Sequence, residues 1–595
     1  MVPLVFYIFP FAILPQNRGV IEDYTFFIKK QQLKIKNMNN QRSIMDNEVI
    51  HMSNQRSIMD NEVIHMGDEI TQSTLNQNSL TCYRQITGQL CCSVIGGVDK
   101  IGLNSMRIRA SNGSSLMIDD GVDILQGSIS NAYFDISLYK DFGIKVILIT
   151  HMHEDHIGGL SKKIDKLNKI KDLTIVTSEI TASILEKKLK KYTPRIVIAE
   201  HGKKIVTGFS DVDSGFEIIG YDVDHSCLGA MCFSIKDLIS GKSIIHTGDF
   251  RGVFPSESYE NKSQYSLCFI ESTNAFVTSD LPNEKDVKES LYELFDKIGS
   301  KMIVPLFASE HERIINIIRW CLSRKKTFAL KGRAMIDTYD WLMSMNFFTE
   351  DEKIQIETCK CAAIARNCEA TNGDLVICTG ALGQPFTGVF KVCDEICELN
   401  LQNQYSIIIS ASCIPGNEKQ VNDLYKYIAD KEFKNLYTFK NWKAIHASGH
   451  ANICCLKETV DLIGAKMTIP VHGDIAQRYQ VCRATCCPTL LIRKGCEYEV
   501  DGIKIECPGD EFYNKYLKFI ERNVELDRED AQKIIEEREA LAKSGVIVIH
   551  SRKEYTLVGA IDSNELSSAI KWNYDDKDEL IKEVSKILPG VTIIL

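Results

Sequence analysis

Six consecutive residues, His151-Met-His-Glu-Asp-His156, place three imidazoles and an aspartate in one short stretch. They follow an apolar run at 145–150, which is typical of a buried strand. In an extended turn the first, third and fifth residues fall on one side, while the last begins the next element. The first two histidines can therefore bind one metal ion, and the aspartate and last histidine a second. These ligands suit zinc or manganese, and two such ions generate hydroxide near neutral pH.

Further ligand types follow strand-like runs elsewhere in the chain. They are Asp224-His225 after residues 216–223, Asp249 after 243–247, and His472-Gly-Asp474 after 466–471. Open α/β sheets build their sites at the carboxyl ends of strands. Each residue alone has an ordinary explanation as a solvated histidine or a turn aspartate. Their joint pattern, with three of the 13 histidines in one turn, predicts a single metal centre.

The order of these residues resembles the five-motif signature of the metallo-β-lactamase fold: Asp119, His151-x-His153-x-Asp155-His156, His225 and Asp249. Later segments resemble the β-CASP branch of that fold, which acts on nucleic acids. They lie at 271–274, 307–309, 331–333, 378–385, 410–418, 446–451 and 470–473. Within the branch the chain is most similar to ribonuclease J, the bacterial 5′ to 3′ exoribonuclease with endonuclease activity, from about Cys92 to the C-terminus.

The resemblance implies an α/β fold, with a metallo-β-lactamase αββα sandwich, an inserted α/β β-CASP domain and a small C-terminal α/β domain. Its motifs place the metal domain at 82–277, the β-CASP domain at 278–439 and a return segment of the metal domain at 440–492. The C-terminal domain at 507–595 resembles the part with which this family forms dimers or tetramers. A closed cleft between such domains would admit a single strand and exclude a duplex.

Residues 1–81 resemble no part of that family. Residues 40–52 recur unchanged at 54–66. Because two copies do not make a solenoid, we interpret the repeat as a recent duplication in a disordered extension. An upstream start that adds non-native sequence before Met38 is the alternative. The apolar residues 1–14 lack a basic region and are shorter than the roughly 20 residues of a membrane span, so we expect no membrane partner.

Transferred residue by residue, the resemblance assigns a role to each motif position. It implies that His151, His153 and His225 hold one metal, that Asp155, His156 and His472 hold the other, and that Asp249 bridges them. Asp119 matches the carboxylate that orients the ligand-bearing loops, and Asp120 stands where a small residue is usual. We expect two divalent ions, zinc or alternatively manganese.

Other matched residues would act on the substrate. Glu271 and His450 match a pair beside the scissile phosphate, and with Asp155 they are the candidate catalytic residues. An imidazolium at His450 would protonate the departing 3′ oxygen, and the Glu271 carboxylate would hold its tautomer and raise its pKa. The candidates for gripping substrate phosphate are His446, Ser448, Gly449, His450 and Arg333.

Composition is consistent with an intracellular enzyme of several domains. The chain has 595 residues, 44% of them hydrophobic, which is enough for more than one core. Its net charge of -9 opposes attraction of RNA to the whole surface, although local basic faces can bind a polyanion. We interpret the lysines at 161–171 and 186–191 as solvated. The 21 cysteines contain no Cys-x-x-Cys pair and none occupies a family ligand position, which favours reduced thiols and a cytoplasmic location.

The leading hypothesis is a metal-dependent ribonuclease of RNA processing and decay. It would be a 5′ to 3′ exonuclease that prefers a 5′ monophosphate, with endonuclease activity, single-stranded RNA as substrate, and other RNA-decay proteins as partners. A DNA-directed β-CASP nuclease is one alternative. A lactonase- or thioesterase-type hydrolase is another, opposed by the roughly 160-residue insertion, which a small substrate does not need. A non-catalytic scaffold is opposed by the complete ligand set.

Overall fold

The computed structural model describes residues 89–500 except 124–129, 190–191, 193, 209–214, 253, 259–263, 300, 359–372, 385–386 and 414–417. Beyond residue 500 it describes only the strands named below. The expected extension at 1–81 and its repeat lie outside the described residues.

The first sheet has eight strands. In spatial order they are β20 (Lys504–Glu506), β19 (Glu497–Glu499), β1 (Cys91–Gly96), β2 (Ser105–Arg109), β3 (Ser115–Ile118), β5 (Ile144–Leu148), β6 (Thr174–Thr177) and β7 (Arg195–Ile198). From β20 to β3 neighbours are antiparallel, and from β3 to β7 they are parallel. The parallel half therefore brings the carboxyl ends of β3 and β5 to one edge.

The second sheet has six strands. In spatial order they are β18 (Met467–Val471), β12 (Tyr265–Glu271), β11 (Ser243–His246), β10 (Met231–Asp237), β9 (Gly215–Asp222) and β8 (Lys204–Gly208). Strands β11, β12 and β18 are parallel, so their carboxyl ends also share an edge.

Alternate side chains of each strand point to opposite faces of its sheet, so each sheet packs one face against the other sheet and the opposite face against helices. In β5, Val146 and Leu148 join a core shared with Phe233 and Leu267 of the second sheet. Ile147 instead packs with helices on the outer face of the first sheet. Those helices are Ser137–Phe142, Glu154–Lys162, Ile164–Leu167 and Glu179–Lys188. The outer face of the second sheet packs against Ile453–Ile463 and Ile475–Ala484.

An α/β unit interrupts the second sheet between β12 and β18. Its five parallel strands are, in spatial order, β14 (Phe328–Lys331), β15 (Leu375–Cys378), β13 (Lys301–Pro305), β16 (Tyr405–Ile408) and β17 (Asn435–Tyr437). Its helices are Glu284–Ile298, His311–Ser323, Arg333–Ser344, Glu350–Thr358, Gly388–Glu398 and Glu418–Asp430. The predicted fold class, an αββα sandwich with an inserted α/β domain, is confirmed.

Two smaller sheets complete the described strands. One consists of β22 (Val524–Leu526), β21 (Leu517–Glu521) and β4 (Ser130–Phe134), and the other of β25 (Ile570–Lys571), β24 (Glu554–Gly559), β23 (Ile547–Arg552) and β26 (Ile593–Ile594). Because β19 and β20 pair with the first sheet, that sheet extends beyond residue 492, where the sequence places the end of the return segment. Among the helices described, none is long and apolar enough to cross a membrane.

Candidate active site

The first ligand cluster lies where β5 ends and a helix begins. His153 is the N-cap of helix Glu154–Lys162, with extended backbone dihedrals of φ -64 and ψ 149. Asp155 therefore lies in the first turn of that helix, and not in an extended turn as the alternation of side chains suggested. His225, Asp249 and His472 follow β9, β11 and β18, so all these loops meet at the carboxyl-end edges of the two sheets.

Three imidazole nitrogens face one another in a first group. His153 Nδ1 lies 3.0 Å from His151 Nε2 and 3.2 Å from His225 Nε2. Burial lowers the pKa of His151 and of His225 well below the usual range, and lowers that of His153 to about 4. The three rings are thus neutral near pH 7 and present lone pairs.

A second group contains Asp155, His156 and His472. His472 Nε2 lies 3.3 Å from Asp155 Oδ2, and His156 Nε2 lies 3.6 Å from the same oxygen. Asp249 Oδ2 stands between the groups, 3.2 Å from His156 Nε2, 3.4 Å from His472 Nε2 and 3.7 Å from His151 Nε2.

The spacing of these donor atoms fits divalent metal ions. Ligands about 2.0–2.2 Å from a tetrahedral ion are separated by about 3.3–3.6 Å, close to the observed distances. The donors are imidazole nitrogens and carboxylate oxygens at mostly buried positions, and Asp249 Oδ2 lies within 3.7 Å of nitrogens from both groups. These residues can therefore hold a pair of divalent ions.

The remaining ring nitrogens are fixed by neighbours, which orients the opposite nitrogens toward the centre. His156 Nδ1 bonds Asp119 Oδ2 at 2.8 Å, and His225 Nδ1 donates to the Gly449 carbonyl at 2.6 Å. His472 Nδ1 pairs with Thr273 Oγ1 at 2.7 Å. Thr273 was missed by the sequence analysis, although it lies in the motif at 271–274.

The two adjacent aspartates have different partners. Asp119 also accepts a hydrogen bond from the backbone amide of Thr150 at 2.8 Å, which ties the end of β3 to the start of the histidine loop. Asp120 contacts Tyr139 Oη at 2.5 Å and Lys163 Nζ at 2.8 Å, away from the metal ligands. The prediction that Lys163 is solvated is wrong, because its side chain is fully buried on this carboxylate.

An imidazole–carboxylate pair lies beside the metal ligands. His450 Nδ1 is 2.8 Å from Glu271 Oε2, and the other Glu271 oxygen accepts from the amides of Phe250 and Ala451. Burial alone would lower the pKa of His450, but the charge and hydrogen bond of Glu271 outweigh it and raise the pKa to about 9. His450 keeps 22% of its side chain accessible, so a protonated imidazole can reach a bound molecule.

His446 and Ser448 lie on the same loop as His450 and have polar partners of their own. Arg313 Nη1 donates to His446 Nδ1 at 3.1 Å, so His446 Nε2 carries the proton directed at Ser412 Oγ, 3.0 Å away. Burial and the Arg313 charge hold the pKa of His446 well below its usual range. Asn274 donates to Ser448 Oγ at 2.9 Å.

The structure brings together every candidate site residue except one. Arg333 begins helix Arg333–Ser344 with an exposed side chain, and none of the described contacts joins it to the site. Arg313 was not predicted from the sequence; it is 1% exposed and also pairs with Glu284 and Glu310. The sequence pointed to Arg313 only through its position in an amphipathic segment after the 307–309 motif.

Comparisons with known proteins agree with this geometry. Residues 101–261 match the family described as Metallo-beta-lactamase superfamily, and residues 299–428 match Ribonuclease J, beta-CASP domain. The chain is 26% identical to Ribonuclease J of Helicobacter pylori (strain ATCC 700392 / 26695) over 513 residues, which cover 82% of this chain and 72% of that protein. It is 25% identical to Ribonuclease J of Mycoplasma genitalium over 519 residues, covering 80% of this chain and 86% of that protein.

Among solved structures, a protein of unknown function from Enterococcus faecalis V583 aligns with a TM-score of 0.47 and 14% identity, covering 69% of this chain and 100% of that one. The curated ribonuclease J relatives, by contrast, align over most of the chain. The chain therefore contains a segment that matches the metallo-β-lactamase superfamily and one that matches the β-CASP domain of ribonuclease J, and it is similar to ribonuclease J proteins over most of its length.

Proposed function

We propose that the protein is a metal-dependent ribonuclease that hydrolyses phosphodiester bonds of RNA. The observation that carries this proposal is the carboxylate oxygen of Asp249 between two ligand groups, with the His450–Glu271 pair beside them. The ribonuclease J relatives make RNA the substrate class. The inserted domain supports a polymeric substrate, because it lies in the chain between Glu271 and His472, two residues of the site.

The proposed ligand sets follow the two groups of donor atoms. His151, His153 and His225 would hold the first ion, Asp155, His156 and His472 would hold the second, and Asp249 would be shared by both. Both are divalent, zinc or alternatively manganese. When bound, such ions supply Lewis acidity and an activated water.

The residues around the ligands then position the reacting groups. Asp119, Thr273 and the Gly449 carbonyl keep three imidazoles in the orientation that directs their other ring nitrogens at the metal centre. His450, protonated at neutral pH by its pairing with Glu271, donates its proton to the departing 3′ oxygen. Asp155 is the carboxylate of the second group and holds its charge because nearby histidines keep its pKa far below the usual range despite burial.

The pocket of His446, Ser448 and Gly449 grips a substrate phosphate. The Nε2 proton of His446 is directed at Ser412, and both groups can donate to phosphate oxygens. A 5′ monophosphate of the RNA held here would set a 5′ to 3′ exonuclease direction. RNA that enters the cleft without a 5′ monophosphate in this position would be cut internally. Arg333 is exposed at the start of a helix. It would contact a phosphate only further along the bound RNA.

Assembly and location follow from the resemblance. We expect a homodimer or homotetramer formed through residues 507–595. The domains are bounded near 82–277 and 278–439, and the return segment begins near 440 and extends past 492 to include β19 and β20. RNA-decay proteins are the expected partners. We expect a cytoplasmic location because 15 of the described cysteines form no disulfide; Cys496 is disulfide-bonded and departs from the expected reduced thiols.

The test is a time course on one single-stranded RNA, labelled at its 3′ end, with either a 5′ monophosphate or a 5′ triphosphate. The matching DNA and a His151→Ala variant serve as controls, with zinc or manganese added. We expect mononucleotide release from the monophosphate RNA and none from the variant. Cleavage of the DNA alone would identify a DNA nuclease, and inertness toward both polymers would refute the proposal.

A further inference from the structure

A buried glutamate at the start of the α/β unit lies between two arginines that serve different parts of the site. Glu284 is the first residue of helix Glu284–Ile298 and is 4% exposed. Its Oε1 pairs with Arg251 Nη1 at 3.2 Å and with Arg313 Nη2, and its Oε2 accepts from Arg313 Nε at 3.3 Å. Both arginines are buried as well. Because Arg251 follows β11, the three side chains form a charged contact between the α/β unit and the second sheet.

Arg251 holds two of the proposed metal-ligand loops together. Its guanidinium donates to both oxygens of Asp224, from Nε at 3.0 Å and from Nη2 at 3.1 Å, and its backbone amide donates to the Asp224 carbonyl at 2.7 Å. Asp224 directly precedes His225, and Arg251 lies two residues after Asp249. A bidentate arginine–carboxylate pair fixes orientation as well as distance. The Arg251 side of the contact is therefore fixed relative to the metal ligands.

Arg313, in contrast, holds the proposed phosphate pocket. Its Nη1 donates to His446 Nδ1 at 3.1 Å. A second partner of His446 is Ser412 Oγ at 3.0 Å, and Ser412 follows β16 of the α/β unit. The loop that carries the pocket is thus attached to the α/β unit at its His446 end, whereas the Gly449 carbonyl further along accepts from His225. The position of His446 relative to the metal centre depends on how the α/β unit is joined to the second sheet.

We propose that Glu284 is a positioning residue that fixes the spacing between the phosphate pocket and the metal centre, and thereby makes cleavage depend on the 5′ phosphate of the RNA. This inference rests on the proposed function, in which the pocket holds that phosphate and the metal centre cuts the chain. A phosphate held at a fixed spacing delivers one particular phosphodiester bond to the reacting groups. Misplacement by about 1 Å can cost about 10²-fold in rate. Cuts made without a phosphate in the pocket do not depend on this spacing.

Two variants separate positioning from general stability. Glu284→Gln keeps the size of the side chain, but its amide cannot compensate two guanidinium charges, so the contact between Arg251 and Arg313 is lost. Glu310→Gln is the matched control, because Glu310 is also buried and pairs with Arg313 at 3.1 Å. None of the described hydrogen bonds and ion pairs joins Glu310 to Arg251. Both variants remove a buried carboxylate from Arg313, and only Glu284→Gln cuts the connection to the metal ligands.

The test follows a single-stranded RNA with a radioactive 5′ monophosphate, cut by the full-length protein loaded with zinc. We expect wild-type protein to release labelled mononucleotide, and Glu284→Gln to release it about 10²-fold more slowly. Longer labelled fragments report internal cuts that do not use the pocket, and they should form at the wild-type rate. Glu310→Gln should keep the wild-type ratio of mononucleotide to longer fragments. Elemental analysis should find two zinc ions in every variant.

The outcomes separate this inference from the proposed function. Unchanged mononucleotide release by Glu284→Gln would overturn the inference and leave the proposed function standing. An equal loss in Glu284→Gln and Glu310→Gln would show that Glu284 only stabilises the fold, and would also overturn it. Wild-type protein that cuts no RNA would refute the proposed function and the inference with it. If Glu284→Gln fails to fold, Glu284→Asp decides the question, because it keeps the charge on a side chain one methylene shorter and should show the same selective loss to a smaller degree.

Discussion

His156 Nδ1 is held by Asp119 Oδ2 at 2.8 Å, while its Nε2 faces the Asp249 oxygen at 3.2 Å. One ring thus connects the end of β3 to the shared carboxylate of the two ligand groups. Asp119 itself adopts a left-handed backbone with φ 58, a conformation that non-glycine residues hold only under local constraint. Its two bonds to Thr150 supply that constraint.

Asp119→Asn should weaken metal binding without removing a ligand. The amide cannot hold His156 in the same charge-assisted bond, and loss of such partners costs about 10- to 100-fold in metal affinity. Zinc titration with a competing chelator measures the effect. Asp135→Asn, which alters a carboxylate paired with Lys166 outside the site, is the matched control. Unchanged zinc affinity in Asp119→Asn would show that the carboxylate does not orient the ring.

Lys163→Met should destabilise the fold while leaving metal affinity unchanged. Removal of the lysine strands the Asp120 charge in a fully buried position, and such losses cost about 3–5 kcal/mol. Urea unfolding of the metal-free protein measures the change. The exposed Lys203, paired with Glu200, provides the comparison, since Lys203→Met should cost less than about 1 kcal/mol. Equal effects of the two variants would contradict the prediction.

His450→Ala should lower kcat by about 10²- to 10⁴-fold with both metals retained, which is the range for loss of a general acid. Metal content by elemental analysis separates this effect from loss of the centre. His201→Ala, which removes an exposed imidazole paired with Asp222, should leave kcat unchanged. A His450→Ala variant that is inactive because it binds no metal would assign His450 to the ligands instead.

The Glu271–His450 pair should also make the stability of the metal-free protein depend on pH. The pKa of His450 is raised to about 9 in the folded protein, above its unfolded value near 6.5. The stabilisation is therefore fully present below about pH 6.5 and is lost as pH rises through about 9. Unfolding in urea at pH 6, 8 and 10 measures it. In Glu271→Gln this slope should flatten, and an unchanged slope would attribute the dependence to other groups.

The clustering of the candidate ligands could be predicted from sequence because few residue types bind metal and each followed an apolar strand. The contacts that hold these side chains in place could not be predicted from sequence. Thr273 holds His472 through a hydroxyl, which many surface threonines carry without any such role. Lys163 lies between two short helices among other lysines, and only the carboxylate of Asp120 makes its burial favourable.

Gly449→Ala should disturb the first ligand group through sterics alone. A Cβ at this position would lie 2.8 Å from His225 Cε1 and 2.8 Å from Ser226 Oγ, closer than real contacts allow, although the backbone there is not left-handed. The His225 ring must shift, which also weakens its bond to the Gly449 carbonyl. We expect loss of one zinc of two, measured by elemental analysis, with the fold retained. Gly202→Ala adds the same methyl group where nothing lies within 4 Å; its left-handed backbone, with φ 70, should lower fold stability, but the variant should keep both ions. Full zinc occupancy in Gly449→Ala would mean that the ring moves without cost, and that its position is set by the metal rather than by the protein.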